Sequence, residues 1–313
     1  MLTRRHIRVK VMQSLYAYSQ SKNDNMPSEE KFLLKSMNEM YDLFLLMLEL
    51  LVEIKKNAED YIEKSRQKHL ATEEEINPNR KFVENRIIAI LENNEDFQRS
   101  LESRKLYHWK NDDEYVGILW EEIRESELFN EYLSTKQSDF QADKEFVISI
   151  FREIIAPNEK LYDYLEDKKL TWLDDFPLVN TAILKMLQKL KPGSEGKAIT
   201  RLFKNEEDKD FAVQLFRKTL LKDKELAGEM QGKTPNWDKE RIADLDSILI
   251  KMGICEFLYF PSIPVKVTIN EYLEVAKEYS TPKSSIFING ILDKLSREYQ
   301  ESNKLNKMGR GLM

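Results

Sequence analysis

The 313-residue sequence predicts an all-α protein. Three observations lead there. Only nine glycines and nine prolines punctuate the chain, few for its length. Leu, Lys, Glu and Met are plentiful while Val is scarce, which favours helix. No segment alternates apolar and polar residues with the period of two that a half-buried strand requires. With 41% hydrophobic and 33% charged residues, the chain has the makings of a soluble core wrapped in amphipathic helices.

The elements follow in order. Ile7, Val11, Leu15 and Tyr18 form a stripe at helical spacing and predict a first helix over 4–19, with Arg4, Arg5 and Arg8 off that stripe. Pro27-Ser28 opens a long second helix through Lys56 or beyond, its apolar side carrying Phe32, Leu43, Leu46, Leu50 and Ile54. Residues 57–85 are polar and broken by Asn77-Pro78-Asn79, a turn signal. Helices are expected over 86–105, 113–133 and 143–155, the last closed before Pro157. A further helix runs from about Asp238 to Leu258 and stops at Phe260-Pro261. Thr268 to Glu271 reads as a capping box opening the next helix. Thr281-Pro282 starts the last one, with Ile288, Ile291, Leu292 and Leu295 as its core stripe.

Shifted by 65 residues without a gap, 143–184 matches 208–249. The pairs include Asp143/Asp208, Phe146/Phe211, Phe151/Phe216, Arg152/Arg217, Leu161/Leu226, Trp172/Trp237 and Ile183/Ile248. Amphipathicity alone would align apolar positions; it would not align the Phe-Arg dipeptide and the tryptophan. The pattern reads as a duplicated helix–loop–helix unit, the alternative being chance similarity of two helical hairpins.

Charge is distributed unevenly on a chain of net −6. No acidic residue precedes Asp24, while Arg4, Arg5, Arg8, Lys10 and Lys22 are basic; after Glu301 only Lys304, Lys307 and Arg310 are charged. Basic ends on an acidic body point to local binding of a polyanion. The single Cys255 can form no internal disulfide and fits a reducing compartment. Leu43–Ile54, the richest apolar stretch, is too short to cross a bilayer and contains Glu49 and Glu53. The basic N-terminus has no apolar run behind it and is not a signal peptide. A cytoplasmic protein without membrane attachment is expected.

Catalytic chemistry finds little support. His6, His69 and His108 stand far apart without spaced partners, against zinc or histidine catalysis. Lys191 to Lys197 lacks the spacing, the hydroxyl and the preceding strand of a phosphate loop. Neither an enzyme nor a bound cofactor or metal is expected. Two features suggest nucleic acid instead. Thr3–Lys10 gathers four permanent positive charges and His6 within about two helical turns, where guanidinium groups suit phosphate contacts; a solvated helix start is the alternative. On the last helix Lys283, Phe287, Gly290 and Lys294 share a face, with Arg297 at its edge, a platform for stacking an unpaired base. Spacing leaves Phe287 equally open to core packing, and Gly290 open to a close helix contact.

The first block, R-R-H-I-R-V-K-V-M-Q-S-L-Y, resembles the arginine-rich start of the bacterial NusB transcription antitermination family. So do W-D-K-E-R-I-A-D-L-D-S-I-L-I-K-M-G-I-C-E-F and I-P-V-K-V-T-I-N-E-Y-L-E-V-A-K-E-Y-S, the latter continuing into S-S-I-F-I-N-G-I-L-D-K-L. The blocks keep the family's order and cover about the first 20 residues and 208–300. The resemblance implies a helical bundle that binds the boxA element of nascent ribosomal RNA together with the ribosomal protein NusE, in an antitermination complex on RNA polymerase. Carried over by position, RNA would meet Arg4, Arg5, His6, Arg8 and Tyr16, and also Lys283, Ser284 and Phe287, to which the face reading adds Lys294. Asp246 and Glu256 fall where the family meets NusE. A usual member is less than half this length. The expected layout is therefore a basic helix of the NusB-like core (1–22), an inserted, partly duplicated helical region (23–197), the remainder of the core (198–302) and a basic flexible tail (303–313). A helical protein–protein scaffold that keeps the fold without RNA binding is the alternative function.

Overall fold

The computed structural model describes residues 1–21, 25–135, 139–193, 199–233 and 243–312. Among these every regular element is helical and none is a strand. In chain order they are α1 (Arg4–Ser21), α2 (Met26–Arg66), α3 (Glu73–Ile76), α4 (Arg86–Glu92), α5 (Glu95–Arg104), α6 (His108–Asn111), α7 (Asp113–Glu125), α8 (Glu127–Ser134), α9 (Phe140–Ile150) with a π-turn (Phe151–Ile155), α10 (Glu159–Lys168), α11 (Trp172–Lys189), α12 (Glu206–Leu221), α13 (Asp223–Met230), α14 (Asp244–Tyr259), α15 (Val265–Tyr279) and α16 (Ser284–Glu301). The long second helix extends further than its apolar pattern, and the segments 86–105 and 113–133 each hold two helices rather than one. Asn94 and Ser126 explain the breaks: each leaves helical geometry and caps the following helix through its side chain.

The helices form two compact units, one of residues 1–37 and 202–313, the other of residues 38–201. The expected boundaries at 22/23 and 197/198 lie outside the described residues, as do Lys22, Asp24, Trp237 and the start of the helix expected from Asp238.

In the first unit α14 is central and packs against α1, α12, α13, α15 and α16. Its residues Leu249, Ile250, Met252, Ile254, Cys255 and Phe257 are all buried, which is why this helix lacks an amphipathic stripe. Burial pushes the Cys255 thiol up to about 12, so it behaves as a small core residue. Gly253 lets α16 pack close: an added Cβ would lie 2.9 Å from Leu292 Cδ2, and that side chain would have to shift.

One local expectation is corrected. The Thr268–Glu271 capping box does not form. α15 starts earlier, at Val265, with Pro264 as its N-cap. Thr268 lies buried inside the helix with its hydroxyl donating to Glu256, and Glu271 forks with Arg5 instead of reaching back. A capping box does form at Thr72 and Glu75. At Gly290, where a close helix contact was one of two open readings, an added Cβ would meet nothing within 4 Å. Among the described residues no helix packs closely there. Residues 303–312, read as a flexible tail, are held at several points. Met308 donates its backbone N–H to Pro261, and Lys307 Nζ donates to the carbonyls of Glu256 and Phe260. Burial pulls the Lys307 ammonium down to about 8.

In the second unit an aromatic cluster sits within a largely aliphatic core. Phe82 stacks on Trp120, and Tyr132 on Phe146. Trp109 and Trp172 are buried, each donating its indole N–H to a backbone carbonyl of α2.

Candidate nucleic-acid interface

The head of α1 carries positive charge where the helix dipole disfavours it, and acidic side chains from other helices offset the cost. Arg4 Nε donates to Asp208 Oδ1 at 3.1 Å, and its guanidinium lies over the Phe211 ring. Arg5 makes two hydrogen bonds of 3.0 Å to the Glu271 carboxylate. That pairing raises the Arg5 pKa further, against the opposing effect of burial. Both guanidiniums stay partly exposed. His6 accepts the Thr3 N–H through Nδ1, and Tyr16 is exposed further along α1.

Arg8 departs from the expected open face. Only 2% of its side chain is exposed, against 0% for Glu256. Nε and Nη2 of Arg8 donate to the two carboxylate oxygens at 2.7 and 2.8 Å. Tyr272 Oη and Thr268 Oγ1 supply the remaining donors, at 2.7 and 3.0 Å. Burial pulls the guanidinium pKa down, and the Glu256 charge and hydrogen bonds outweigh it to leave a net rise. This satisfied, buried pair ties α1 to α14 and α15. Lys10 is buried as well. Because α1 packs against α12, α14 and α15, more of its circumference is covered than one apolar stripe implies.

Asp246 holds the entrance to α16. Its carboxylate accepts from Ser280 Oγ at 2.6 Å and from Ser284 Oγ at 2.7 Å, and Thr281 Oγ1 lies 2.8 Å from Ser284 Oγ. Ser284 and Asp246 are both buried, so they shape the turn at 280–284 rather than offer themselves to solvent. The turn presents Lys283, which is exposed, and α16 begins two residues later than Thr281-Pro282 suggested. Phe287 is 8% exposed and sits with the core side of α16. Lys294 and Gly290 are exposed beside it, while Arg297 pairs with Asp293.

The structure therefore gathers Arg4, Arg5, His6 and Tyr16 on α1, and Lys283, Gly290 and Lys294 on α16, with α15 packed against both helices. It withdraws Arg8, Ser284, Asp246 and Glu256 into the interior. Sequence reasoning missed Ile286, which is 75% exposed beside Lys283. It lies off the core stripe, and an isoleucine between stripe positions was the signal available. The arginine partners Asp208 and Glu271 were also missed, since nothing local links them to α1.

Among the described residues no group of acidic, histidine or cysteine side chains is placed to hold a metal ion, and no helix is long and apolar enough to cross a membrane. Comparison with known proteins matches 181–297 to the NusB family model. Transcription antitermination protein NusB of Salinibacter ruber is 41% identical over 34% of this chain and 66% of its own length. The protein of that name from Chloroherpeton thalassium is 39% identical over 34% of this chain and 50% of its own length. That from Koribacter versatilis is 36% identical over 32% and 68%. The chain thus spans between half and about two thirds of the curated relatives it matches. No solved structure matches it.

Proposed function

The chain belongs to the NusB family, and we propose from that premise that it is an RNA-binding adaptor of transcription antitermination, not an enzyme. The observation that carries the reading is the partly exposed Arg4–Arg5 pair on the first unit. That unit holds 25 Lys and Arg against 21 Asp and Glu, a formal +4 within a chain of −6. The carboxylates Asp208 and Glu271 orient the two guanidiniums and yield them to phosphate oxygens when RNA arrives.

Exposed Lys283 and Lys294 flank the strand on α16, and the exposed Ile286 and the edge of Phe287 offer apolar contact to an unpaired base. Arg8 and Ser284 support this surface from beneath. Single-stranded boxA-type RNA of ribosomal RNA transcripts is the proposed ligand, and NusE within the antitermination complex on RNA polymerase the proposed partner. In this reading Asp246 and Glu256 position the α16 turn and the α1–α15 junction beside that partner, as neither carboxylate is open to it.

The test is filter binding of boxA RNA across a salt series. Arg4→Ala with Arg5→Ala should weaken binding at least tenfold and flatten the salt dependence by up to about 1.4 in log–log slope, at about 0.7 per phosphate contact. Unchanged binding by that variant would remove α1 from the interface. A protein–protein scaffold is the second reading, favoured by the acidic second unit with 24 Lys and Arg against 34 Asp and Glu. Absence of RNA binding both with and without purified NusE would select it.

A further inference from the structure

We propose that the second unit docks an arginine-bearing segment of a basic protein partner in the groove between α10 and α11. This proposal stands independently of the RNA reading. The groove opens where the chain passes through Ala156-Pro157-Asn158 into α10, and has a volume of about 480 Å³. Its wall is apolar: Tyr162 and Phe176 meet edge to face at 5.8 Å, with Pro157 and Pro177 on either side. Tyr162 is partly exposed and Phe176 is buried behind it.

The two charged side chains in the groove are both acceptors. Glu159 and Asp163 line it one helical turn apart on α10, both exposed, and no Lys or Arg is among the lining residues. Asn180 Oδ1 is buried in the wall and has no hydrogen-bond partner, a cost that a bound N–H would remove. Asn158 Nδ2 donates to Glu122 Oε2 at 2.8 Å, which brings the acidic end of α7 to the rim. There Glu122 is exposed, while Glu121 and Glu125 pair with Arg124, in a unit of formal charge −10.

An arginine answers each feature. Its planar face stacks on Tyr162, its apolar stem lies along the prolines, and its several N–H groups reach two carboxylates and one amide oxygen. The groove exceeds what one side chain fills, leaving room for flanking residues of the partner. The same charge repels nucleic acid.

The experiment uses the full chain and fluorescence anisotropy of a short fluorescein-labelled peptide with a central Leu-Arg-Leu. Binding should saturate and weaken about tenfold in a Glu159→Gln, Asp163→Asn double variant, with a similar loss when citrulline replaces the arginine. Asn180→Leu should weaken it in the same direction, and boxA RNA binding should not move in any of these variants. Equal affinity of the double variant, equal affinity of the citrulline peptide, or no saturable binding would each overturn the proposal. Sedimentation velocity covers the other occupant: a dimer of the wild type that dissociates in the double variant would assign the groove to a second copy, and the proposal would fail.

Discussion

In the first unit Asp208, at the start of α12, pairs with Arg4 at the head of α1; in the second, Asp143 of α9 pairs with Arg86 at the head of α4. The two acids lie 65 residues apart in the matched stretches, and the residues after them agree as well. Phe146 and Phe211 are buried at equivalent places, as are Phe151 and Phe216, and Leu161 and Leu226. α9 packs on α11 as α12 packs on α14. What differs is the use of charge. The first unit buries a full ion pair, Arg8 with Glu256, and keeps two further arginines partly exposed. In the second, the buried Asp143 is held by neutral groups as well as by Arg86: Asn85 donates to Tyr132 Oη, and Tyr132 Oη donates to Asp143 Oδ1 at 2.7 Å. A shared hairpin plan thus supports a positive surface in one region and a negative one in the other.

The sharpest way to break this comparison is to strike the buried pair. Arg8→Ala leaves Glu256 charged and desolvated, with an expected loss of about 3–5 kcal/mol. Urea denaturation measures it. An Arg8→Met, Glu256→Leu double variant should recover most of that loss, since two apolar groups leave no unpaired charge. A single variant as stable as wild type would mean the pair is not the link between α1 and α14.

Next comes the matched pair of acids. Asp143→Asn disturbs a buried carboxylate that accepts from Tyr132 Oη, Arg86 Nη1 at 2.8 Å and the Arg86 backbone N–H at 3.1 Å. A loss of about 2–3 kcal/mol is expected. Asp208 is also buried, but fewer hydrogen bonds are at stake there, so Asp208→Asn should cost less, about 1 kcal/mol. Equal losses would mean that the two units use this position alike.

A third effect belongs to the second unit alone. Glu49 of α2 is buried, and its Oε2 has no hydrogen-bond partner. Burial, reinforced by Glu53 and opposed by Lys110 and Lys56, raises its carboxyl to about 7. Between the ordinary carboxylate range and that value the folded state holds a proton that the unfolded chain releases. The stabilisation is therefore complete at low pH and is lost as pH rises through about 7. Glu49→Gln should flatten this dependence by on the order of 2 kcal/mol between about pH 5 and pH 8. A pH profile unchanged by the substitution would mean Glu49 is ionised throughout.

The helical class, the NusB blocks and the α16 core stripe were legible because each rests on local periodicity or contiguous residues. Ile288, Ile291, Leu292 and Leu295 are buried as their spacing required. The site was legible only in part. Arg4, Arg5 and Arg8 look alike along the chain, and what separates them is a carboxylate 248 residues from Arg8 that no local pattern reports. Thr268 and Glu271 fit a capping box by spacing, but each found a partner on another helix. Pro264 needs no partner for a backbone N–H, so the helix could begin a turn earlier. Tertiary pairing overrode the local signal at each of these positions.

The smallest expected effect sets one glycine against another. Gly117 of α7 and Gly290 of α16 are both helical, and an added Cβ at either meets nothing within 4 Å. Alanine should therefore stabilise each unit by about 0.5–1 kcal/mol, through helix propensity alone. Their ligand effects should diverge. Gly290 lies between Lys283 and Lys294 on the proposed RNA face, so a methyl group there intrudes on whatever approaches it. Gly117 belongs to the acidic unit, outside that face. Filter binding with boxA RNA should register a loss of about two- to fivefold for Gly290→Ala, within the energy of one displaced contact, and none for Gly117→Ala. Equal RNA affinity in both variants, with both stabilised, would make Gly290 an ordinary exposed helix position and move the RNA path off this side of α16.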